Sequence, residues 1–260
     1  MFYHQRDRSV AVIQRLTEGR PTPHGTGFFV SSGEHIYLIT CLHVLTQVGG
    51  GRGLEGRNKE TETVSEAVIV RLRKKGDHNL SDYRLELSDS SGLRHWRTFL
   101  QPENYWDVTV IELERGDMSA YDIRPWKEEE FLPPDTGLDP GTEVFVLTFP
   151  RQYGHAPTPY DLGSRIDVKE HQIFACDRGA VITDPLYPGA SGSPLYRAVE
   201  MVHQDDGIGH ETLIQLVGIF TGAFPPEDPK AGHFHYIDTA ATIIHAGRDC
   251  LDDNGVEFRC

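Results

Sequence analysis

A serine lies between two glycines in the segment Thr183-Asp184-Pro185-Leu186-Tyr187-Pro188-Gly189-Ala190-Ser191-Gly192-Ser193-Pro194-Leu195. Glycine allows a sharp backbone turn and the close approach of a second backbone or a ligand. A serine exposed on such a turn can attack a carbonyl carbon, and backbone N–H groups beside it stabilise the oxygen that becomes negative. The segment therefore predicts a nucleophile for acyl transfer, although a Gly-x-Ser-Gly cluster alone is also typical of ordinary turns.

A histidine that suits such a serine lies far upstream, in Thr40-Cys41-Leu42-His43-Val44. The preceding run Ile36-Tyr37-Leu38-Ile39 is β-branched and aromatic, which predicts a strand that ends just before His43. A neutral imidazole accepts the serine proton near neutral pH and returns it to the leaving group. We interpret His43 as the general base; the alternative is a half-buried histidine at a strand end.

A candidate acid begins the apolar run Asp107-Val108-Thr109-Val110-Ile111. A carboxylate bonded to the histidine holds the imidazole in one tautomer and stabilises its protonated form. The alternative is an ordinary turn acid at the start of a strand. Other acids that compete for the role are Asp77, Asp82 and Asp117.

Taken in the order His43, Asp107, Ser191, these segments resemble those of chymotrypsin-like serine peptidases, and most closely the bacterial HtrA-type branch. The resemblance also includes Gly25-Thr26-Gly27-Phe28 and Val217-Gly218-Ile219, and it extends through short segments over roughly residues 10–246. It implies an all-β fold of two packed six-stranded antiparallel β-barrels with a short C-terminal helix. The site would lie in the cleft between the barrels.

The resemblance implies a role for each residue of the site. Ser191 attacks the scissile carbonyl, His43 transfers the proton, Asp107 orients His43, and the N–H groups of Gly189 and Ser191 form the oxyanion hole. Ala190 stands where digestive relatives carry an aspartate that pairs with a newly freed N-terminus. We therefore do not expect activation by zymogen cleavage of that kind.

The residues predicted to bind substrate are less distinctive. Pro185 stands where trypsin-type relatives place an acid that binds Lys or Arg, so no charge is expected there. The resemblance places apolar or small neighbours beside it and predicts an apolar or small P1 side chain. The predicted substrate-binding residues are Pro185, Leu186, Ile219, Phe220 and Thr221.

The predicted domains follow from these segments. Residues 8–118 form an N-terminal lobe with the histidine and the acid, and residues 142–238 form a C-terminal lobe with the nucleophile. Residues 119–141 connect the lobes; they are rich in charge, Pro and Gly, and their acidic run is predicted to be a solvated face. Residues 239–260 form a helix and tail. Near the start, Val10–Ile13 predicts a strand and Pro21–His24 predicts a turn.

Composition limits the partners. The 260 residues carry a net charge of −14, which disfavours a nucleic-acid-binding surface. No apolar run is long enough to cross a membrane, so no membrane partner is expected. No signal peptide is visible, and the four cysteines are scattered, which predicts reduced thiols and a cytoplasmic location. No cofactor or metal is expected, since the pair His233 and His235 lacks a third ligand.

We therefore predict a serine endopeptidase that acts on a protein or peptide substrate, with processing of a dedicated partner protein and control by a regulatory partner as further hypotheses. One alternative is a latent or inactive protease-fold module that binds a partner and is regulated by it. Another is an esterase with the same three residues. The esterase is disfavoured because the serine segment does not match the Gly-x-Ser-x-Gly elbow of α/β-hydrolases.

Overall fold

Fourteen strands make up most of the described part of the chain in the structure, which is a computed structural model. The structure describes residues 6–17, 20–45, 65–77, 79–91, 95–100, 105–134, 136–149, 159–171, 179–183, 188–203, 209–223 and 232–246. Within these ranges there are also three α-helices: α1 (Leu42–Leu45), α2 (Arg115–Met118) and α3 (Ile237–Ala246). None of the described helices has the length and apolar character needed to span a membrane.

The first sheet is formed by the N-terminal half of the chain. Its strands are β1 (Val10–Thr17), β2 (Arg20–Ser32), β3 (His35–Thr40), β4 (Ala67–Arg73), β5 (Leu80–Glu86), β6 (Trp96–Leu100), β7 (Tyr105–Leu113) and the short β8 (Trp126–Lys127). Seven strands pair in the order β5-β4-β1-β2-β3-β7-β6, all antiparallel, and β8 lies parallel to β2. The N–H of His95 donates to the carbonyl of Leu87 at 2.9 Å, which links the end of β5 to the start of β6.

The second half forms a closed six-stranded antiparallel barrel, followed by α3. Its strands are β9 (Glu143–Thr148), β10 (Tyr160–His171), β11 (Gly179–Ile182), β12 (Pro194–His203), β13 (Gly209–Ala223) and β14 (Gly232–Tyr236). They pair around the barrel in the order β10-β11-β14-β13-β12-β9. The predicted all-β class with a C-terminal helix is confirmed, and the second lobe is the six-stranded barrel expected for it. The first sheet has eight strands rather than six, one of which, β8, comes from the predicted connection between the lobes.

One continuous hydrophobic core holds the two lobes together. It contains Phe28 and Leu38 from the first sheet and Val146 and Leu195 from the barrel, all fully buried. Burying aliphatic and aromatic side chains in this way is the main favourable term in folding. Because the core is shared, the groove where the lobes meet has a fixed geometry.

The segment between the lobes is more buried than its composition predicts. Trp126, Leu132 and Leu138 are almost fully buried, and the N–H of Leu132 donates to the carbonyl of Leu216 in β13 at 2.7 Å. The acidic run is only partly the solvated face predicted for it, since Glu129 is exposed while Glu128 and Glu130 are half-buried. Apolar side chains spaced between the charges attach this connection to the barrel.

The first described residues lie on this connection. The Arg6 guanidinium stacks over the Trp126 ring, 3.9 Å from the ring centroid, and forms hydrogen bonds to both carboxylate oxygens of Glu130. Arg8 Nη1 donates to Asp122 Oδ1 at 3.0 Å. A guanidinium that is both stacked and paired with a carboxylate makes more than a simple charge contact. These residues therefore join the start of the described chain to the connection between the lobes.

Candidate active site

The predicted base and acid are brought together by two adjacent strands of the first sheet. His43 is in α1, just after β3, and Asp107 is near the start of β7, which pairs with β3 through Thr40 and Thr109. His43 Nδ1 lies 2.5 Å from Asp107 Oδ2, and the backbone N–H of His43 donates to Asp107 Oδ1 at 2.9 Å. A carboxylate only accepts, so Nδ1 carries the proton and Nε2 of a neutral imidazole is left as the acceptor.

The nucleophile lies on a tight turn that leads into β12. Gly189 has φ +100° and Gly192 has φ +85°, a region of backbone space that glycine adopts readily. The N–H of Ser193 donates to the carbonyl of Ala190 at 3.0 Å, and the N–H of Gly192 donates to the carbonyl of Phe220 at 2.7 Å. These bonds fix the turn from within the second lobe, with Ser191 half-buried at its centre.

Strand β2 of the first lobe holds the same turn from the other side. The N–H of Thr26 donates to the carbonyl of Ser191 at 2.9 Å, and Thr26 Oγ1 donates to the carbonyl of Gly189 at 2.9 Å. A Cβ added to Gly25 would lie 2.6 Å from Val44 Cγ2 and 2.9 Å from the carbonyl oxygen of Ser191. Val44 is the residue after His43. The backbone of Gly25 therefore lies between the helix that carries His43 and the turn that carries Ser191, and it contacts both.

The N–H groups of Gly189 and Ser191 are the donors that the sequence predicts for an oxyanion hole. The carbonyls of Gly189 and Ser191 both accept hydrogen bonds from Thr26. Within the described ranges, neither the N–H of Gly189 nor that of Ser191 donates to a backbone carbonyl. The role of these two amides as donors to a substrate oxygen stays a prediction.

Comparison with known proteins places this arrangement in a family. Residues 25–200 match the model of the trypsin-like peptidase domain, which is more than half of the chain. The chain belongs to this family. A comparison with curated proteins found no match.

Two solved structures are similar to this chain. The MamO protease domain from Magnetospirillum magneticum, in its apo form, is 14% identical with a TM-score of 0.54, and the match covers 93% of this chain and 98% of that one. The Rv3671c protease from M. tuberculosis, in its active form, is 17% identical with a TM-score of 0.48, and the match covers 93% of this chain and 82% of that one. At this identity the likeness to MamO concerns the fold alone.

Cys41 is a buried thiol close to His43 and Asp107. Its Sγ donates to the carbonyl of Phe220 at 3.3 Å. Burial raises the pKa of the Cys41 thiol well above its ordinary value, and the negative charge of Asp107 raises it further. The thiol therefore stays protonated at neutral pH and does not compete with Ser191 as a nucleophile.

Zinc prefers cysteine, histidine and carboxylate ligands. One potential ligand atom from each of Cys41, His43 and Asp107 lies within 4.8 Å of the others. Two of these potential ligand atoms are already engaged, because His43 Nδ1 and Asp107 Oδ2 are hydrogen-bonded to each other. The part that His43 and Asp107 play in proton transfer stays a prediction at this point.

The residues predicted to bind substrate fall into three groups. Pro185 and Leu186 lie outside the described residues. Ile219 and Phe220 belong to β13, and their side chains are almost fully buried in the core. Thr221, further along β13, is half-buried. Of the predicted set within the described ranges, Thr221 has the most accessible side chain, and the P1 preference stays a prediction.

Thr26 and Cys41 contact the site although the sequence analysis gave neither a role there. Thr26 is named there only as part of the segment Gly25-Thr26-Gly27-Phe28, which carries the family resemblance. Its signal is a hydroxyl placed between Gly25 and Gly27, at a point where another backbone comes close. Cys41 gave no signal of its own beyond its position two residues before His43.

Proposed function

We propose that this chain is a serine endopeptidase that hydrolyses peptide bonds in protein or peptide substrates through an acyl-enzyme on Ser191. Membership of the trypsin-like peptidase domain family supports a peptidase at the level of the family. The observation that carries the proposal is the pair of hydrogen bonds between His43 and Asp107. Each carboxylate oxygen of Asp107 accepts one N–H of the histidine. This arrangement orients an imidazole for proton transfer.

In the proposed reaction, Ser191 Oγ attacks the scissile carbonyl carbon while His43 Nε2 accepts the hydroxyl proton. The carbonyl oxygen becomes negative and is stabilised by the N–H groups of Gly189 and Ser191. Collapse of this intermediate breaks the C–N bond, and His43 returns the proton to the departing amine. Water then attacks the acyl-enzyme with His43 again as base, which releases the acid product and restores Ser191. Asp107 stabilises the imidazolium in both halves of the reaction.

We further propose an apolar or small P1 side chain. The proline at position 185 offers no negative charge for a Lys or Arg side chain. Digestion of a peptide library, with the cleaved positions identified by mass spectrometry, tests this preference. Strong cleavage after Arg or Lys would contradict it. Processing of one dedicated partner protein, control by a regulatory partner and a cytoplasmic location remain predictions of the sequence.

A fluorophosphonate probe tests the catalytic assignment, because it reacts covalently with an activated serine. We expect labelling of the parent protein and loss of labelling in Ser191→Ala and His43→Ala. Ser193→Ala is a matched control, since Ser193 lies in the same turn but is fully buried, with no hydrogen-bond partner for its hydroxyl in the described structure. Labelling should persist in this control. An unlabelled but folded parent would contradict the proposal and favour a latent module that binds a partner.

A further inference from the structure

We propose that Thr26 is a positioning residue for the Ser191 amide of the oxyanion hole, because it fixes, from the opposite lobe, the two peptide planes that flank this amide. The inference rests on the proposed function, since an oxyanion hole has meaning only for acyl transfer. Thr26 is fully buried in β2 of the first lobe, whereas Gly189 and Ser191 belong to the second. It does not touch the reacting atoms and acts only through the backbone of the turn.

Three consecutive peptide planes run through the nucleophile, and each is fixed by its carbonyl. The carbonyl of Gly189 accepts from Thr26 Oγ1, that of Ala190 accepts from the N–H of Ser193, and that of Ser191 accepts from the N–H of Thr26. In a trans peptide the N–H points away from the carbonyl of the same plane. The planes of these three carbonyls carry the N–H groups of Ala190, Ser191 and Gly192 in turn. Thr26 fixes the first and third planes, and so holds from both sides the plane that carries the Ser191 N–H.

The hydroxyl of Thr26 has its own orientation fixed. A hydroxyl has one proton to donate and can accept from other groups. Thr26 Oγ1 accepts from the N–H of Phe149 at 3.3 Å and lies 3.5 Å from Thr148 Oγ1. The carbonyl of Thr26 accepts from Thr40 Oγ1 at 2.8 Å. Every polar group of Thr26 is engaged, so the residue is a rigid support rather than a mobile contact.

The nucleophile turn has no charged side chain of its own that could fix its conformation. Residues 188–193 contain no ionisable side chain, and Ala190 at their centre is fully buried and apolar. The conformation of the turn therefore depends on hydrogen bonds to its backbone. Two of these come from Thr26, so docking of the first lobe against the second orients the amides of the turn.

Two substitutions separate the hydroxyl from the shape of the side chain. Thr26→Val keeps the size and branching but removes the donor to Gly189, which leaves a buried carbonyl unsatisfied and favours rotation of that peptide. Thr26→Ser keeps the donor. Ser9→Ala is a matched control, because the fully buried Ser9 donates from Oγ to the carbonyl of Arg6 at 2.7 Å, away from the turn. Like Thr26→Val, Ser9→Ala removes a hydrogen bond from a buried hydroxyl to a backbone carbonyl.

The first measurement is the rate of fluorophosphonate labelling, with kcat and KM on a cleaved peptide. Removing one oxyanion donor outright typically lowers kcat by about 10²–10³-fold, so misorienting a donor in Thr26→Val should cost about tenfold or more. We expect the loss in kcat with KM nearly unchanged. Thr26→Ser should react at close to the parental rate. Ser9→Ala should lower the melting temperature without slowing labelling.

The second measurement does not depend on activity. Carbonyl-¹³C proline combined with ¹⁵N glycine selects only the amides of Gly141 and Gly189, since Pro140–Gly141 and Pro188–Gly189 are the only Pro–Gly bonds in the sequence. In a Ser191→Ala background, Thr26→Val should shift or broaden the Gly189 resonance, and Thr26→Ser should do so far less. Gly141, in an exposed turn, is an internal reference and should not move.

The two measurements keep the inference separate from the proposed function. If the parent is never labelled but the Gly189 resonance responds to Thr26→Val alone, serine catalysis is refuted and the structural role of Thr26 stands. If Thr26→Val is labelled at the parental rate and its Gly189 resonance matches that of Thr26→Ser, the inference is overturned. The inference also fails if Ser9→Ala slows labelling as much as Thr26→Val.

Discussion

Gly192, the residue after the nucleophile, offers a direct test of how closely the two lobes meet. A Cβ added there would lie 2.1 Å from the carbonyl oxygen of Thr26 and 2.4 Å from Thr40 Oγ1. The first of these atoms is backbone and cannot rotate away. Gly192 also has φ +85°, where an L-residue is strained. Gly192→Ala should therefore destabilise the protein through both backbone strain and overlap.

The magnitude follows from these two terms. Placing an L-residue in the left-handed region costs roughly 1–2 kcal/mol. Forcing an extra group into a closely packed site typically costs about 1–3 kcal/mol. Together they predict a loss of about 2–5 kcal/mol, a large share of the roughly 5–15 kcal/mol by which folded proteins are stable.

Gly141→Ala is the control that isolates the overlap. Gly141 also has φ +85°, and an added Cβ would meet nothing within 4 Å. This variant therefore carries only the strain term, and the effect of alanine on the unfolded chain is the same at both positions and cancels. The assay is urea unfolding followed by circular dichroism, together with the melting temperature. Each 1 kcal/mol should lower the melting temperature by about 2–4 °C in a chain of this size.

We expect Gly192→Ala to be less stable than Gly141→Ala by about 1–3 kcal/mol, the overlap term alone. It should also react more slowly with the fluorophosphonate probe, because Thr26 must shift to admit the methyl group. Equal unfolding midpoints for the two variants would refute the close approach of the nucleophile turn to β2. A slower reaction with equal midpoints would refute the energetic reasoning and leave only a local effect on the site.

Three further predictions concern single groups. Asp107→Asn should lower kcat by about 10⁴-fold without unfolding the protein, because an amide stabilises the wrong tautomer of His43; a loss below tenfold in peptide hydrolysis would argue against that role. Cys41 should resist iodoacetamide in the folded protein at neutral pH, because it is fully buried and its pKa is raised, so mass spectrometry that finds it alkylated before unfolding would contradict the burial. Burial and the hydrogen bond to Asp117 raise the pKa of Tyr83 to about 12, so the folded state holds this proton more tightly than the unfolded state. The free energy of unfolding should therefore fall as pH rises from the ordinary tyrosine pKa of about 10 towards 12, and it should fall less in Tyr83→Phe. Identical alkaline unfolding of the two proteins would exclude the effect.

The parts of the site that sequence predicted are those with a local signal. A strand that ends just before His43 and a strand that begins near Asp107 are visible as apolar runs, and the structure pairs these strands as neighbours. The local patterns left other acids open, and the resemblance to serine peptidases selected Asp107 as the partner of His43. The turn around Ser191 is visible for a similar reason, because glycine marks backbone conformations that other residues avoid.

The prediction of a turn at Pro21–His24 was wrong for a reason that depends on tertiary structure. These residues are part of β2, where Pro21 pairs with Leu16 and Pro23 pairs with Gln14 of β1. Strand β2 pairs with β3 only from Phe28 onwards, so in the described sheet this end of β2 has a strand neighbour on one side. Proline lacks an N–H and is tolerated where the second side of a strand is unpaired. Local composition does not reveal which part of a strand lies at such an edge.

Contacts between distant parts of the chain have no local signal that identifies their partners. Thr26 and Gly189 are 163 positions apart, and Arg6 and Glu130 are 124 apart. The bond from Thr26 ends on a backbone carbonyl, which every residue possesses, so no side-chain pattern at position 189 predicts it. The chemical groups of this site can therefore be found by their residue types, whereas the orientation of its amides depends on how one lobe docks on the other. Substitutions such as Thr26→Val and Gly192→Ala test that docking, since they alter the contact between lobes and leave His43, Asp107 and Ser191 in place.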